Sequence, residues 1–192
     1  MDKKLYISII CFILCLTGSV QALEFKGTVV PDEVVLEGSA QPVKLNGVGM
    51  RTKFFFDIYV GALYLKTPAA TIADVLSQES PKRVLMHFVY DEVPVEKLVA
   101  GWNEGFEENQ NDEQLVALAD RIRTFNQMFV SVHAGDEILL DYLPDQGTRV
   151  SIKGEVKGVI AGKDFNDALL RIWLGDEPAD EALKEAMLNA DN

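Results

Sequence analysis

The sequence predicts an α+β fold, in which helices pack against a sheet. Segments rich in β-branched and aromatic residues, which favour strands, form two groups within residues 23–90 and 137–160. Two amphipathic helices separate these groups, and further helices follow the second group. Strands in two groups, with helices between and after them, are typical of an α+β fold.

The first 22 residues are predicted to be a secretory signal peptide. Lys3 and Lys4 form its positively charged start, Ile9–Leu16 is its apolar stretch, and Val20-Gln21-Ala22 fits a cleavage site. The apolar stretch is shorter than the roughly 20 residues that span a bilayer, which favours a cleaved signal over a membrane anchor. We therefore expect cleavage after Ala22, export to the periplasm, and a single domain over residues 23–192 with no stable membrane span.

The composition excludes several classes of function. Both cysteines, Cys11 and Cys15, lie within the signal segment, so the exported domain has no disulfide, no thiol nucleophile and no cysteine metal site. The chain carries a formal net charge of −12, and removal of the signal leaves it near −13. A protein this acidic repels polyanions, so nucleic acid is not an expected partner.

The first group of strands includes the longest one. Gly47 and Gly49 are expected to form a turn before it, because glycine adopts backbone angles that other residues avoid. The strands are predicted over Leu23–Val30, Val34–Glu37, Gln41–Asn46, Phe54–Leu65 and Lys82–Tyr90, with a short helix capped by Thr71 over Thr71–Gln78.

Two amphipathic helices follow Pro94, which suits the first turn of a helix. A break at Asn109–Asp112 separates them. The first apolar face consists of Val95, Leu98, Val99, Trp102 and Phe106, and the second of Leu115, Leu118, Ile122, Phe125 and Phe129.

The chain then returns to strands and ends in helices. Pro144–Gly147 and Gly154 supply the turns between these strands, and Gly175 ends the first of the two helices. The strands are predicted over Glu137–Leu143, Arg149–Lys153 and Glu155–Ile160, and the helices over Phe165–Leu174 and Ala179–Leu188.

Several kinds of site find no support in the sequence. His87 and His133 are the only histidines, and neither lies in a spaced cluster of metal ligands, so no metal is expected. The chain contains no nucleophile elbow and no phosphate-binding or dinucleotide-binding fingerprint, so no cofactor is expected.

Arg51 is the most conspicuous candidate site residue. It lies within residues 45–65 (LNGVGMRTKFFFDIYVGALYL), between the glycines and the aromatic strand. A guanidinium is always charged, and its rigid set of donors matches a carboxylate or an oxyanion. Spacing alone leaves two interpretations open, a surface arginine paired with a carboxylate or a ligand anchor. Lys53 shares its strand parity but is interpreted as a solvated strand end, while Trp102 and Phe106 are expected to pack their helix on the sheet.

The segment GVGMR followed by FFFDIYVGALYLK resembles the chalcone isomerase family. Members of that family have a G-x-G-x-R turn and a strand that ends in a small-aliphatic-Tyr-Leu sequence, here Ala62–Leu65. The closing segment, GKDFNDALL at 162–170 and WLGD at 173–176, is also similar to the family. The overall resemblance is to secreted bacterial chalcone isomerase-like proteins.

The resemblance implies an open-faced β-sandwich, with a large antiparallel sheet, helices packed on one face, and a ligand cleft between them. Arg51 matches the arginine that acts in the plant enzymes. The polar partners of that arginine in those enzymes fall here on Tyr59, Leu98, Gly101, Gly105 and Ile172.

These replacements imply a protein that binds a small amphiphile, such as a fatty acid, without catalysis. Arg51 would hold the head group, and Tyr59, Tyr64, Leu98 and Ile172 would be further ligand contacts. In a regular strand Arg51 and Tyr59 share one face and Tyr64 points to the other, whereas a bulge between Arg51 and Tyr59 would reverse this. The alternative is an isomerase (an intramolecular lyase) with Arg51 as its catalytic residue, acting on a chalcone-like phenolic enone or another substrate. A third interpretation is an interaction module whose cleft is filled by its own side chains.

Overall fold

The computed structural model describes residues 22–189, so residues 1–21 of the expected signal peptide lie outside the described residues. The strands are β1 (Ala22–Phe25), β2 (Thr28–Pro31), β3 (Glu33–Val35), β4 (Pro42–Lys53), β5 (Phe56–Leu65), β6 (Lys82–Phe88), β7 (Glu92–Val93), β8 (Val132–His133), β9 (Glu137–Leu143), β10 (Gly147–Ile152) and β11 (Glu155–Ile160). The helices are α1 (Ile72–Ser77), α2 (Val95–Asn109), α3 (Asp112–Asn126), α4 (Lys163–Leu174) and α5 (Glu181–Met187).

Seven antiparallel strands form the main sheet, in the order β11-β10-β9-β6-β5-β4-β3. Helices α1–α5 bury their apolar faces against one side of this sheet and form the larger core with it. A smaller apolar cluster on the other side includes Val30 of β2 and Leu36. The predicted fold class, an α+β open-faced sandwich with a large antiparallel sheet and helices on one face, is confirmed.

Helices α2 and α3 form where the apolar periodicity and the break between them predict. Leu98, Trp102 and Phe106 recur every four residues along α2, and all three are buried. Asn111 caps α3 by accepting a hydrogen bond from the Gln114 amide, and the Gln114 side chain accepts one in return from the Asn111 amide. This capping box explains why the chain ends one helix and starts the next at this point.

The expected glycine turn at Gly47 and Gly49 is wrong. Strand β4 runs without interruption through both glycines, which pair with residues of β5 and do not have positive φ angles. Helix α5 explains their identity, because a Cβ on Gly47 would lie 2.1 Å from the carbonyl oxygen of Ala186. A Cβ on Gly49 would lie 2.7 Å from the Cβ of Ala186. Glycine is required here for the close approach of a helix to the sheet.

The turn between the two long strands lies instead at Phe54 and Phe55, since Lys53 pairs with Phe56. The expected strand over Phe54–Leu65 therefore begins two residues later, and Arg51 lies near the end of β4 rather than at the start of a strand. The predicted strand Leu23–Val30 is also divided, because Lys26 and Gly27 adopt positive φ angles and form a hairpin turn between β1 and β2.

No helix within residues 22–189 is both long enough and apolar enough to cross a bilayer.

Candidate functional site

A cavity of about 430 Å³ lies between one end of the main sheet and helix α2, within the range that is typical of small-molecule sites. Strands β4, β5 and β6 supply its floor, α2 covers it, and α4 contributes Ile172. Its inner wall is largely apolar and includes Ile58, Met86, Phe88, Leu98, Trp102 and Ile172.

Arg51 provides a cation beside this apolar wall. It is half-buried, and its Nε atom is buried without a hydrogen-bond partner. Among residues 22–189, no ion pair within 4.0 Å involves its guanidinium. A buried polar atom without a partner is unfavourable, so the guanidinium is left with donors that an incoming anion can satisfy.

Four of the five other arginines show the contrast. Each of the four forms an ion pair with a carboxylate, in the pairs Arg83–Asp141, Arg121–Asp164, Arg123–Asp120 and Arg149–Glu37, whereas Arg171 has none within residues 22–189 and does not line the cavity. The interpretation of Arg51 as a surface arginine paired with a nearby carboxylate therefore does not describe its surroundings.

Tyr59 lies beside Arg51 on the same face of the sheet. The two residues are direct partners across β4 and β5, and the guanidinium carbon of Arg51 lies 5.6 Å from the centre of the Tyr59 ring. The Tyr59 hydroxyl accepts a hydrogen bond of 2.8 Å from Nε1 of Trp173 on α4. Burial raises the pKa of Tyr59, and the nearby Arg51 charge only partly opposes this, so the phenol stays protonated at neutral pH.

Leu98 and Ile172 form part of the apolar wall, from α2 and α4 respectively. Gly101 also lines the cavity, and a Cβ built on it would meet no atom within 4 Å. Gly105 has a different role, because a Cβ there would lie 2.7 Å from Cγ2 of Ile172. The absence of a side chain at Gly105 therefore brings α2 close to α4, while Gly101 leaves open space in the cavity.

Tyr64 is not brought to the cavity. It is fully buried in the apolar cluster on the other side of the sheet, and its hydroxyl has no hydrogen-bond partner. The reason is the regular alternation of β5, which pairs with β6 in unbroken register from Tyr59 to Leu65. An odd separation of five residues puts Tyr64 and Tyr59 on opposite faces.

The exposed residues around the opening form the cavity mouth, which we define as Lys53, Phe54, Tyr90, Glu92, Lys97 and Glu104. Lys53 is thus both a solvated strand end and part of the cavity rim. The two lysines and two glutamates of the mouth balance in charge, so the buried end at Arg51 is the more selective place for an anion.

Several lining residues were missed by the sequence reasoning. Met86 and Phe88 lie two apart on β6, so strand alternation predicts that they share a face but does not identify the face of the cavity. Lys97 lies one helical turn before Gly101, and residues four apart share a helix face, so the spacing could have predicted that Lys97 also lines the cavity. Trp102 lines the cavity and also packs against Phe125, Phe129 and Trp173, so its expected packing role is only part of its environment.

Metal ligands are not assembled in the part of the chain that the structure describes, where no three His, Cys, Asp or Glu side chains converge on one point. His87 lies 3.1 Å from a Glu137 carboxylate oxygen, and His133 lies 3.9 Å from Glu92.

The family model for chalcone isomerase-like proteins matches residues 22–189. The chain belongs to the chalcone isomerase-like family. Among solved structures, this chalcone isomerase-like chain is similar to a fatty-acid binding protein from Arabidopsis thaliana, with a TM-score of 0.65 and 16% sequence identity. The superposition covers 88% of this chain and 96% of the plant protein, so the two share a fold across nearly their whole length. No curated protein matches the chain in sequence.

Proposed function

We propose that this chalcone isomerase-like protein binds a small amphiphile, such as a fatty acid, and does not catalyse a reaction. The observation that carries the proposal is the buried, unpartnered Nε of Arg51 beside a largely apolar cavity. A carboxylate bound there gains charge-assisted hydrogen bonds, and each methylene of its tail buried in the cavity contributes about 0.8 kcal/mol. The likeness in fold to a plant protein described as fatty-acid binding supports the same chemistry.

Tyr59 strengthens the head-group end of this site. Its hydroxyl oxygen already accepts from Trp173, and its own proton is free to be donated to a carboxylate oxygen. The raised pKa keeps that proton in place, so Arg51 and Tyr59 together offer donors and no competing negative charge.

The lining favours binding over turnover. Ring closure of a phenolic enone requires a group that removes or holds the phenol proton, as well as donors for the developing oxyanion. Arg51 and Tyr59 are suited to the second task, but the lining positions Leu98, Gly101 and Ile172 carry no polar side-chain atom. The carboxylates and lysines of the lining belong to the exposed cavity mouth, where water competes for them. Turnover of a chalcone above the uncatalysed rate, lost in Arg51→Met, would overturn the non-catalytic assignment.

The test is a comparison of two ligands that differ only in the head group. Delipidated protein is titrated with palmitate and with 1-hexadecanol, and the same titrations are repeated on Arg51→Met. We expect Arg51→Met to weaken palmitate binding by about 10- to 100-fold, the effect of one hydrogen bond to a charged group, and to change hexadecanol binding little. Arg123→Met removes the same charge from a surface ion pair and should leave both affinities unchanged. Equal palmitate affinity in wild type and Arg51→Met would overturn the proposal.

We also propose that the site operates in the periplasm after removal of residues 1–22. The supporting observation is the sequence of that segment, with two early lysines, an apolar stretch and a small residue at Ala22. The N-terminal sequence of the protein purified from a periplasmic fraction should begin at Leu23, and a full-length chain retained in the cytoplasm would contradict this.

A further inference from the structure

The hairpin that connects β4 and β5 ends in a highly exposed apolar tip. Phe54 and Phe55 form its two-residue turn and are 84% and 96% exposed, and the adjoining Phe56 is 56% exposed. Phe56 packs edge-on against Tyr90, with 5.6 Å between ring centres. No comparable aromatic contact holds Phe54 or Phe55 among the residues that the structure describes. We refer to Phe54 and Phe55 as the hairpin tip.

The backbone of the hairpin tip runs against local preference. Phe54 has a φ angle of +58°, in the left-handed region that favours glycine or asparagine over a bulky aromatic residue. Neither folding of the hairpin nor solubility explains a phenylalanine there, because a polar turn residue serves both better. Strained, exposed apolar residues that persist against such costs are more typical of a binding surface than of a structural turn.

The hairpin tip belongs to the rim of the cavity. Phe54 is itself part of the cavity mouth, and Arg51 lies three residues before it, near the end of β4. A molecule that enters or leaves the cavity therefore passes the tip. The tip and the site are joined by the pairing of β4 with β5, in which a β-bulge at Ile58 separates the Thr52–Asp57 pair from the Arg51–Tyr59 pair.

The chemistry of the rim selects one kind of partner. Phenylalanine side chains on a protruding turn bury themselves readily in the boundary region of a bilayer. Lys53 and Lys97 at the mouth have long apolar stems and charged ends, which suits contact with lipid head groups. The mouth as a whole is balanced in charge and the chain is strongly acidic, so the attraction is apolar and does not depend on anionic lipid.

We infer that the hairpin tip inserts into the surface of a lipid bilayer and docks the cavity mouth against it. This inference rests on the proposed function, because the amphiphile that the cavity binds is poorly soluble in water and is supplied by a membrane. Docking then lets the ligand pass between bilayer and cavity without crossing water.

Vesicle flotation tests the docking directly. Delipidated wild-type protein should float with neutral phosphatidylcholine vesicles, and should still do so near 1 M salt, where the screening length is only about 3 Å. The variant Phe54→Asn/Phe55→Ser, which keeps residues that suit a turn, should partition at least about tenfold more weakly. Val116→Ser removes a 78% exposed apolar side chain from α3, outside the cavity, and should float as wild type does.

A second measurement reports on the depth of the tip. In Phe55→Trp, fluorescence of the added tryptophan should be quenched by lipids that are brominated in their acyl chains, whereas in Val116→Trp the added tryptophan should not be. Flotation of wild type that is abolished by salt, or that equals that of the tip variant, would overturn the inference. A wild-type dimer that becomes a monomer in the tip variant, without vesicle binding, would overturn it in favour of self-association.

Palmitate titration in solution separates this inference from the proposed function. The single variant Phe55→Ser should float more weakly than wild type but retain wild-type palmitate affinity, because Phe55 does not line the cavity and Phe54, Arg51 and the apolar wall are unchanged. If wild type binds palmitate but does not float with the vesicles, the docking alone is refuted. Docking without any palmitate binding would refute the proposed function and leave the membrane contact standing.

Discussion

Arg51 and Tyr59 face each other across the β4–β5 hairpin, with the guanidinium carbon 5.6 Å from the centre of the tyrosine ring. This contact is tied to the helical layer, because the Tyr59 hydroxyl accepts a hydrogen bond from Trp173 of α4. One hydrogen bond thus fixes both the position of the ring and, through the ring, the place of the cation. The position of the Arg51 charge in the cavity is therefore expected to depend on Tyr59, a residue that does not itself carry charge.

Replacement of Tyr59 by phenylalanine tests this link. Tyr59→Phe leaves the buried Trp173 N–H without its acceptor, and we expect a loss of about 1–3 kcal/mol in the free energy of unfolding. Tyr64→Phe is the matched control, since Tyr64 is equally buried but its hydroxyl has no hydrogen-bond partner. That variant should be neutral or slightly stabilising. Urea denaturation of both variants makes the comparison, and equal losses would contradict the assigned role of the Trp173 bond.

Filling the cavity should separate binding from stability. Gly101 lies inside α2 and a Cβ there meets no atom, so Gly101→Ala should stabilise the protein by up to about 1 kcal/mol through helix propensity alone. Gly101→Leu should keep much of that gain but occupy cavity space that the tail of the proposed ligand would fill. We expect palmitate affinity to fall by about tenfold or more, the equivalent of two displaced methylenes, while the melting temperature does not fall. Undiminished palmitate affinity in Gly101→Leu would show that the ligand does not use this part of the cavity.

The sequence was sufficient for the fold class because its signals are local. The apolar faces of α2 and α3 and the Asn109–Asp112 break lie within single stretches of chain, and they lead directly to two helices on a sheet. Local alternation along β5 explains why Tyr59 and Tyr64 lie on opposite faces. The pairing of Arg51 with Tyr59 depends instead on a β-bulge at Ile58, so the expectation that a bulge between the two residues would separate their faces is wrong.

The glycines of β4 could not be interpreted in this way. These positions are glycine because α5, about 140 residues away along the chain, packs closely against them. The local pattern therefore suggested a turn where the structure has a continuous strand. The cavity wall is similarly non-local, because Met86, Phe88 and Ile172 meet only when β6 and α4 are packed. Long-range packing decides both features, and one sequence does not display it.

The close contact between β4 and α5 leaves no space for a side chain at Gly47, so we expect substitution there to destabilise the protein. A Cβ at Gly47 would lie 2.1 Å from the backbone oxygen of Ala186, so Gly47→Ala must displace the last helix. We expect a loss of more than about 2 kcal/mol in unfolding free energy, as is typical of overpacking against backbone. Gly158→Ala is the control, because its Cβ would meet only the flexible end of Met128 at 2.5 Å. Proteolysis near the C-terminus should increase in Gly47→Ala alone, and an equal response of both variants would contradict the steric explanation.

Buried Lys82 is expected to make the free energy of unfolding depend on pH, and substitution of Lys82 should reduce that dependence. Its side chain is 1% exposed and its ammonium lies 4.8 Å from the centre of the Tyr142 ring. Burial, aided by the charge of Lys163, lowers the pKa of Lys82 from 10.5 to about 8. Between these two values the unfolded chain binds more protons than the folded one, so this residue makes stability rise with pH through that window.

We expect unfolding free energies measured from pH 7.5 to 9.5, below the titration of unfolded tyrosine, to rise less steeply in Lys82→Met than in wild type. Lys66→Met, which removes an exposed lysine, should keep the wild-type slope, and identical slopes in all three proteins would refute the assignment to Lys82.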